Sequence, residues 1–226
     1  ASLGLSPDPY DVFEWVLDKK RAFDFELIFF YLLGDYEMND KNVSHRSASF
    51  RSLIKHVNDY AVSGLHPSYA STKDFSKIVV ERNRLQEITH MAVTKSRQHF
   101  LKFSLAQGYR ALLHADISDD YSMAYASTPG FRSGTCTPHH FFDLDLNRVT
   151  TLTIHPFAFM EATFKYYERT SPEQALEEMK AIVETVKRVE GTLYSTWHND
   201  SLSNHGEWEG WQSVFTGLLS YVSGKS

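Results

Sequence analysis

The chain has 226 residues, of which 42% are hydrophobic and 23% charged, which is ordinary for a soluble globular protein with one substantial core. Its formal net charge of -5 argues against a basic surface, so we predict no nucleic-acid partner. No apolar run in the sequence reaches the length of a membrane span. The only cysteine, Cys136, cannot form an internal disulfide, which favours a reducing compartment and predicts a cytoplasmic location.

Helical and extended patterns alternate along the chain, as is typical of β-α-β units around a parallel sheet. The first helix is predicted to begin at Asp8-Pro9, with the aspartate as N-cap and the proline as first helical residue. The next elements are a strand at 27–33, a loop at 35–47, a helix at 48–61, a strand at 63–66, a helix at 73–91, a strand at 93–97, a helix at 104–114 and a strand at 116–120.

The C-terminal part begins with a long segment, 121–148, that is rich in Ser, Thr, Pro and aromatic residues and predicts an excursion on the active face. The clearest helix follows, with Ser171 as N-cap, Pro172 behind it and Gln174 completing a capping box. The other elements of this part are strands at 151–155 and 192–197 and a closing helix at 207–222. With neither a repeat nor an evident boundary, we predict a single domain over 1–226.

Six strands are an awkward number for a closed barrel. A doubly wound open sheet is one alternative, although no glycine-rich phosphate loop follows any strand. The other alternative is an α/β barrel that lacks one strand.

The residues that follow the predicted strands are unusually polar. Four of the six strand ends deliver a histidine, and a fifth delivers two adjacent aspartates; in chain order these residues are His66, His99, Asp119, Asp120, His155 and His198. In α/β barrels the chemistry lies at the carboxyl ends of the strands, so we predict one shared polar site. Imidazoles and carboxylates without a cysteine cluster suit a catalytic divalent ion that activates water for hydrolysis. The absence of a Gly-x-Ser-x-Gly motif leaves a serine hydrolase with little support.

The order of these strand ends and the residues in them resemble those of the polysaccharide deacetylase superfamily, also called NodB-homology or carbohydrate esterase family four. The resemblance is to its divergent bacterial branch in particular. The segments that carry the resemblance are Phe29-Phe-Tyr-Leu-Leu-Gly-Asp35, Gly64-Leu-His-Pro-Ser-Tyr-Ala-Ser71, Ser96-Arg-Gln-His-Phe-Leu101, Asp119-Asp-Tyr-Ser-Met-Ala-Tyr-Ala126, Ile154-His-Pro-Phe-Ala-Phe-Met160 and Trp197-His-Asn-Asp-Ser-Leu202. The resemblance runs from about Asp8 onward. It implies a distorted (β/α)7 TIM-like barrel that removes N- or O-acetyl groups from carbohydrate with a divalent metal ion: Zn, Co, Fe, Ni or Mn.

The resemblance also implies roles for particular residues. His198 matches the histidine that serves as general acid, and Asp119 or Asp120 falls where an aspartate tunes that histidine. Arg97 matches the arginine that orients the base carboxylate. The metal ligands implied are His66, His99 and His155, and the substrate-binding residues implied are Ser68, Tyr69, Trp197 and Asn199.

Two departures from the family's pattern stand out. His66 matches the first histidine of the His-x-x-x-His metal motif, but the second falls on Ala70, so His99, His155 or a carboxylate must substitute. The family's opening strand, which carries an aspartate pair, has no counterpart before Leu27. We therefore expect the natural protein to extend upstream of Ala1, and a gap between the strands at 27–33 and 192–197.

Two other functions stay open on the sequence alone. A catalytically inactive carbohydrate-binding protein on the same fold would account for Ala70 and for the missing aspartate strand. Glycoside hydrolysis would need two carboxylates facing each other across a cleft, and only Asp119, Asp120 and Asp200 are placed for that role.

Overall fold

The computed structural model describes residue 8 and residues 10–225. The helices and strands are, in chain order, α1 (Phe13–Phe23), β1 (Ile28–Tyr31), α2 (Ala48–Asn58), β2 (Val62–Leu65), α3 (Ser76–Thr89), β3 (Lys95–Ser96), α4 (Leu105–His114), β4 (Asp119–Asp120), β5 (His139–Asp143), β6 (Arg148–Ile154), β7 (Phe159–Met160), a π-helix (Thr163–Glu168), α5 (Pro172–Arg188), β8 (Ser195–Thr196) and α6 (Trp211–Ser223).

The chain divides into two compact units. The sheet unit comprises Leu27–Ala124 and Arg132–Pro156, and the helix unit comprises the described residues of Ala1–Glu26, Tyr125–Phe131 and Phe157–Ser226. The single domain over 1–226 that the sequence indicates stays a prediction.

The sheet unit contains a six-stranded sheet in the order β1-β2-β3-β4-β6-β5. All neighbours are parallel except β5, which pairs antiparallel with β6. A mixed α/β structure with a parallel-strand sheet is therefore confirmed. No closed ring of strands is found among the described residues, and the predicted barrel is not confirmed.

The strand β5 lies inside 121–148, the segment predicted as an excursion on the active face, and the sequence analysis did not predict a strand there. The segment His139-His-Phe-Phe142 has no alternation of apolar and polar residues, so it lacks the period-two signal of a half-buried strand. Its strand conformation depends on pairing with β6, with a register irregularity between His140 and Phe142.

Close contact between β1 and β2 requires a glycine in β2. Gly64 lies opposite Phe30, and a Cβ atom at Gly64 would come within 2.6 Å of the Phe30 ring. The ring therefore occupies the space that a side chain at this position would need. The next residue, Leu65, points to the opposite face of the sheet and is fully buried.

The helix unit is built around the apolar sides of α5 and α6. Its buried core consists of Ala158, Phe159, Phe164, Ala175, Met179, Val183, Trp208, Trp211, Val214 and Leu218. The strands β7 and β8 form a separate parallel pair, with Phe159 opposite Ser195. The predicted capping box of α5 is confirmed, since the Ser171 Oγ accepts from the Gln174 N–H and the Gln174 Oε1 accepts from the Ser171 N–H.

The first helix begins later than the sequence indicates. Its N-cap is Val12 rather than Asp8, and Pro9, predicted as the first helical residue, lies outside the described residues. The Asp8 carboxylate instead accepts a hydrogen bond from the Tyr10 N–H, two residues along the chain. Among the described residues, no helix combines the length and the apolar content needed to cross a membrane.

Candidate functional site

Four strand ends of the sheet unit form one row. Leu65, Ser96, Asp120 and Ile154 occupy equivalent positions in neighbouring parallel strands. The residues that follow them continue the same backbone pairing and are His66, Arg97, Tyr121 and His155. Because side chains alternate along a strand, this second row shares one face of the sheet, opposite to the face of Asp120. His66, Arg97 and His155 therefore lie along the same edge of the sheet, and the shared site stays a prediction.

His66 and His99 lie side by side, with their ring centroids 4.9 Å apart. The His66 Nδ1 contacts the backbone oxygen of Arg97. The His99 Nδ1 lies 2.9 Å from the Asp40 Oδ1. Each imidazole is thus oriented through Nδ1, the kind of support that commonly fixes metal-binding histidines.

Asp40 was not singled out in the sequence, yet it organises this pair. Its side chain is 1% exposed and accepts hydrogen bonds from the backbone N–H groups of Tyr69, at 2.7 Å, and Ala70, at 3.1 Å, besides its contact with His99. The residue lies in the polar loop 35–47, where neither periodicity nor a motif distinguishes one aspartate from another.

Two of the predicted substrate-binding residues lie beside Asp40. Ser68 is buried, and its N–H and hydroxyl both donate to the Glu81 carboxylate, at 2.9 and 2.6 Å. Burial raises the pKa of Glu81, against the lowering effect of these two bonds. Ser68 therefore supports the loop after β2, and its role in substrate binding stays a prediction. Tyr69 is partly exposed, and its hydroxyl accepts a 2.6 Å hydrogen bond from the Lys102 Nζ.

His155 forms a separate pair with Asp119. The His155 Nε2 lies 2.7 Å from the Asp119 Oδ1, and the Tyr121 ring stacks on the imidazole at 4.3 Å with an angle of 8°. Burial acts to raise the pKa of Asp119, but hydrogen bonds from Ser118 and His155 and the charge of Lys95 outweigh it and leave the pKa below its ordinary value. In the part of the chain that the structure describes, no group of three His, Cys, Asp or Glu residues is placed to hold a metal ion, and the ligand set His66, His99 and His155 stays a prediction.

Asp120 belongs to the opposite face of the sheet. It is fully buried and accepts hydrogen bonds from the Ser96 Oγ at 2.9 Å, the Ser122 N–H at 3.0 Å and the Ser122 Oγ at 2.8 Å. Burial raises its pKa to about 6. Because Asp119 and Asp120 point away from each other, these two carboxylates do not flank a common cleft as a glycosidase would require.

In the helix unit, His198 is held by a carboxylate that the sequence did not indicate. The Glu161 Oε1 accepts from the His198 backbone N–H at 2.9 Å and lies 2.7 Å from the His198 Nδ1. The Glu161 side chain is 0% exposed, whereas that of His198 is 48% exposed. Burial acts to raise the pKa of Glu161, but the charge of His198 and the hydrogen bonds outweigh it and leave the pKa lowered.

The residues next to His198 hold its loop. The Trp197 ring packs edge-on against Phe215 at 5.0 Å, and the Asn199 Nδ2 donates to the backbone oxygen of Tyr10 at 3.0 Å. The Ser201 Oγ donates to the His198 backbone oxygen at 2.7 Å. Trp197 and Asn199, both expected to bind substrate, thus have structural contacts of their own.

No family model and no curated protein matches the sequence. Among solved structures, the chain is similar to a crystal structure described as a "putative polysaccharide deacetylase from Mycobacterium smegmatis". The TM-score is 0.64 at 12% sequence identity, and the match covers 95% of this chain and 71% of that chain. The fold is deacetylase-like.

Besides the His155–Asp119 pair, the described part of this deacetylase-like fold contains two histidine arrangements with supporting carboxylates. In the sheet unit, Asp40 supports His99 beside His66, and in the helix unit Glu161 supports His198. The expectation that Asp119 or Asp120 tunes His198 stays a prediction, but the carboxylate in contact with His198 is Glu161. Glu161 follows the two-residue strand β7, which is too short to give a sequence signal.

Proposed function

We propose that this chain is a metal-dependent hydrolase of the polysaccharide deacetylase superfamily, in its divergent bacterial branch, and that it removes N- or O-acetyl groups from a sugar or polysaccharide. The deacetylase-like fold supports the reaction class. The observation that carries the proposal is the half-exposed His198, fixed through Nδ1 by the buried Glu161 carboxylate.

His198 is the general acid in this proposal. Its Nδ1 proton is directed to Glu161, which leaves Nε2 as the nitrogen that delivers a proton to the leaving nitrogen or oxygen. The lowered pKa of Glu161 keeps the carboxylate charged at neutral pH, and a charged carboxylate favours the protonated imidazole. Addition of water to the acetyl carbonyl and cleavage of the bond to the sugar then give acetate and a free amine or alcohol.

His66 and His99 are the proposed metal ligands. Both rings are fixed through Nδ1, one by a backbone oxygen and one by Asp40, so Nε2 of each ring is the atom suited to coordination. When bound, a zinc, cobalt, iron, nickel or manganese ion would polarise the acetyl carbonyl and lower the pKa of a bound water. His155 is left out of this ligand set, because its Nε2 contacts Asp119.

The test of the acid is acetate release from acetylated oligosaccharides by the full chain and by His198→Ala. We expect the variant to lose activity by about 10²- to 10⁴-fold, the usual contribution of a positioned acid. His205→Ala is the matched control, since His205 is an exposed histidine of the same unit. Equal acetate release by His198→Ala and the control would refute the assignment.

The test of the metal site is elemental analysis of the purified protein. His66→Ala and His99→Ala should each lose bound metal, whereas His155→Ala should retain it. The same metal content in all three variants would remove His66 and His99 from the ligand set, without touching the role of His198.

A second candidate is a catalytically inactive carbohydrate-binding protein on the same fold. It is favoured by Ala70, which stands where the family has its second metal-binding histidine and has no side-chain atom that could bind a metal ion. Glycan binding by the wild-type chain without acetate release in the presence of added metal would select this candidate over the first.

A further inference from the structure

The feature that carries a further inference is the π-helix Thr163–Glu168, which begins two residues after Glu161. Wide turns of this kind are rare and are frequent at functional sites. Tyr166 and Tyr167 lie on it, and they are 49% and 56% exposed.

Tyr166 is fixed to the core of the helix unit. Its ring meets that of Trp208 edge-on, with centroids 5.5 Å apart and an angle of 80°. Trp208 in turn meets Trp211 at 5.6 Å, and both tryptophans are buried. Lys165 strengthens the arrangement, because its Nζ donates to the Glu207 backbone oxygen at 2.5 Å and lies 5.8 Å from the centre of the Trp208 ring. A ring held in this way loses little conformational entropy when a ligand packs on it.

Carboxylates act on the hydroxyl end of the same ring, and Glu207 directly precedes the Trp208 that holds it. Burial raises the pKa of Tyr166, and so do the carboxylates of Glu207, Asp200 and Glu161, with Glu207 also accepting a hydrogen bond from the hydroxyl. The hydroxyl therefore stays protonated at neutral pH. Tyr166 lies five residues after Glu161, the carboxylate that holds His198.

We propose that Tyr166 is the platform of a sugar-binding subsite next to His198, on which one pyranose ring of the glycan stacks while Glu207 and Asp200 accept hydrogen bonds from its hydroxyl groups. The inference rests on the proposed function and specifies how the glycan is bound. A pyranose ring has an apolar C–H face and a rim of hydroxyl donors, which matches an exposed aromatic ring beside carboxylates.

Other ligand classes fit this surface less well. A nucleotide or another phosphorylated ligand would bring negative charge to Glu207, Asp200 and Glu161, where like charges repel. A purely apolar ligand would desolvate the carboxylates without supplying hydrogen-bond donors to them.

The test compares Tyr166→Ala with Tyr167→Ala in the full chain, the second being a neighbouring and equally exposed tyrosine. Binding is measured by calorimetry with two probes, a tetramer of β-linked N-acetylglucosamine and an acetylated xylotetraose. We expect Tyr166→Ala to weaken binding of at least one probe by about tenfold, the scale of a good aromatic contact. Tyr167→Ala should bind like the wild type. Tyr166→Leu, which keeps an apolar side chain without a ring, should resemble Tyr166→Ala and guards against a folding defect in the smaller variant.

Kinetics separate a binding role from a structural one. Tyr166→Ala should raise KM for the tetramer and leave kcat within about twofold, which is the pattern of lost uniform binding. Equal affinities for Tyr166→Ala and Tyr167→Ala, or a wild-type chain that binds neither probe, would overturn the inference. If the wild type binds a probe through Tyr166 but releases no acetate, the proposed enzyme function is refuted and the sugar-binding subsite is supported.

Discussion

Two histidine–carboxylate pairs in this molecule have nearly the same contact distance and opposite character. In the sheet unit, His155 meets Asp119 through Nε2, is 12% exposed and is covered by the stacked ring of Tyr121. In the helix unit, His198 meets Glu161 through Nδ1, is 48% exposed and rests on a carboxylate with no exposed surface. A closed imidazole on a partly exposed carboxylate suits structure, and an open imidazole on a buried carboxylate suits proton transfer. The contact distance alone does not distinguish them.

The largest difference should appear when each carboxylate is neutralised. Glu161→Gln removes the charge that favours protonated His198, so we expect kcat for acetate release to fall by about 10²-fold or more. Asp119→Asn should lower kcat by less than about tenfold, because His155 takes no part in the proposed chemistry. Steady-state kinetics on both variants measure this difference. A larger loss of kcat for Asp119→Asn would assign proton transfer to the His155 pair instead of the His198 pair.

A second difference concerns the adjacent carboxyls Asp119 and Asp120, whose pKa values move in opposite directions. The pKa of Asp120 is raised to about 6, so between about pH 4 and 6 the folded state binds more protons than the unfolded state, and this residue makes stability fall as pH rises. Relative to Asp120→Asn, the wild type should therefore lose about 3 kcal/mol of unfolding free energy across that window.

The lowered pKa of Asp119 has the opposite consequence. Its contribution to stability is present above the ordinary carboxyl pKa and is lost as pH falls through the folded value. Urea unfolding of the wild type, Asp119→Asn and Asp120→Asn at several pH values measures both effects. Parallel pH profiles for the two variants would contradict the opposite pKa shifts of Asp119 and Asp120.

The smallest effect should come from Gly64→Ala. The added Cβ would lie 2.6 Å from the Phe30 ring, which is itself 5.5 Å from the Tyr121 ring that covers His155. We expect a loss of about 1–3 kcal/mol of stability from overpacking, without a specific loss of activity at His198. Gly108→Ala is the matched control, because a Cβ there would meet only ordinary contacts of 3.6 Å or more. Thermal melts of both variants provide the comparison.

Features of this protein that depend on neighbouring residues could be predicted from the sequence, and features that depend on distant partners could not. The capping box at Ser171 and the helices α2 and α4 were predictable, because their signals lie within a few consecutive residues. The strands β5 and β7 were missed, since their conformation is decided by partners far along the chain. His66, His99 and His198 could be identified as candidates because each follows a predicted strand. Asp40 and Glu161 could not, because their roles depend on contacts with residues far along the chain.

Asp40 has a consequence for motion as well as for orientation. One carboxylate fastens three segments at once: its own loop, the turn at Tyr69 and Ala70, and the turn that carries His99. These segments cannot loosen independently while that carboxylate is in place. The Tyr69 and Ala70 N–H groups are bound to the same carboxylate that orients the His99 ring. Slow hydrogen exchange at these two amides would therefore indicate that the ring keeps its orientation.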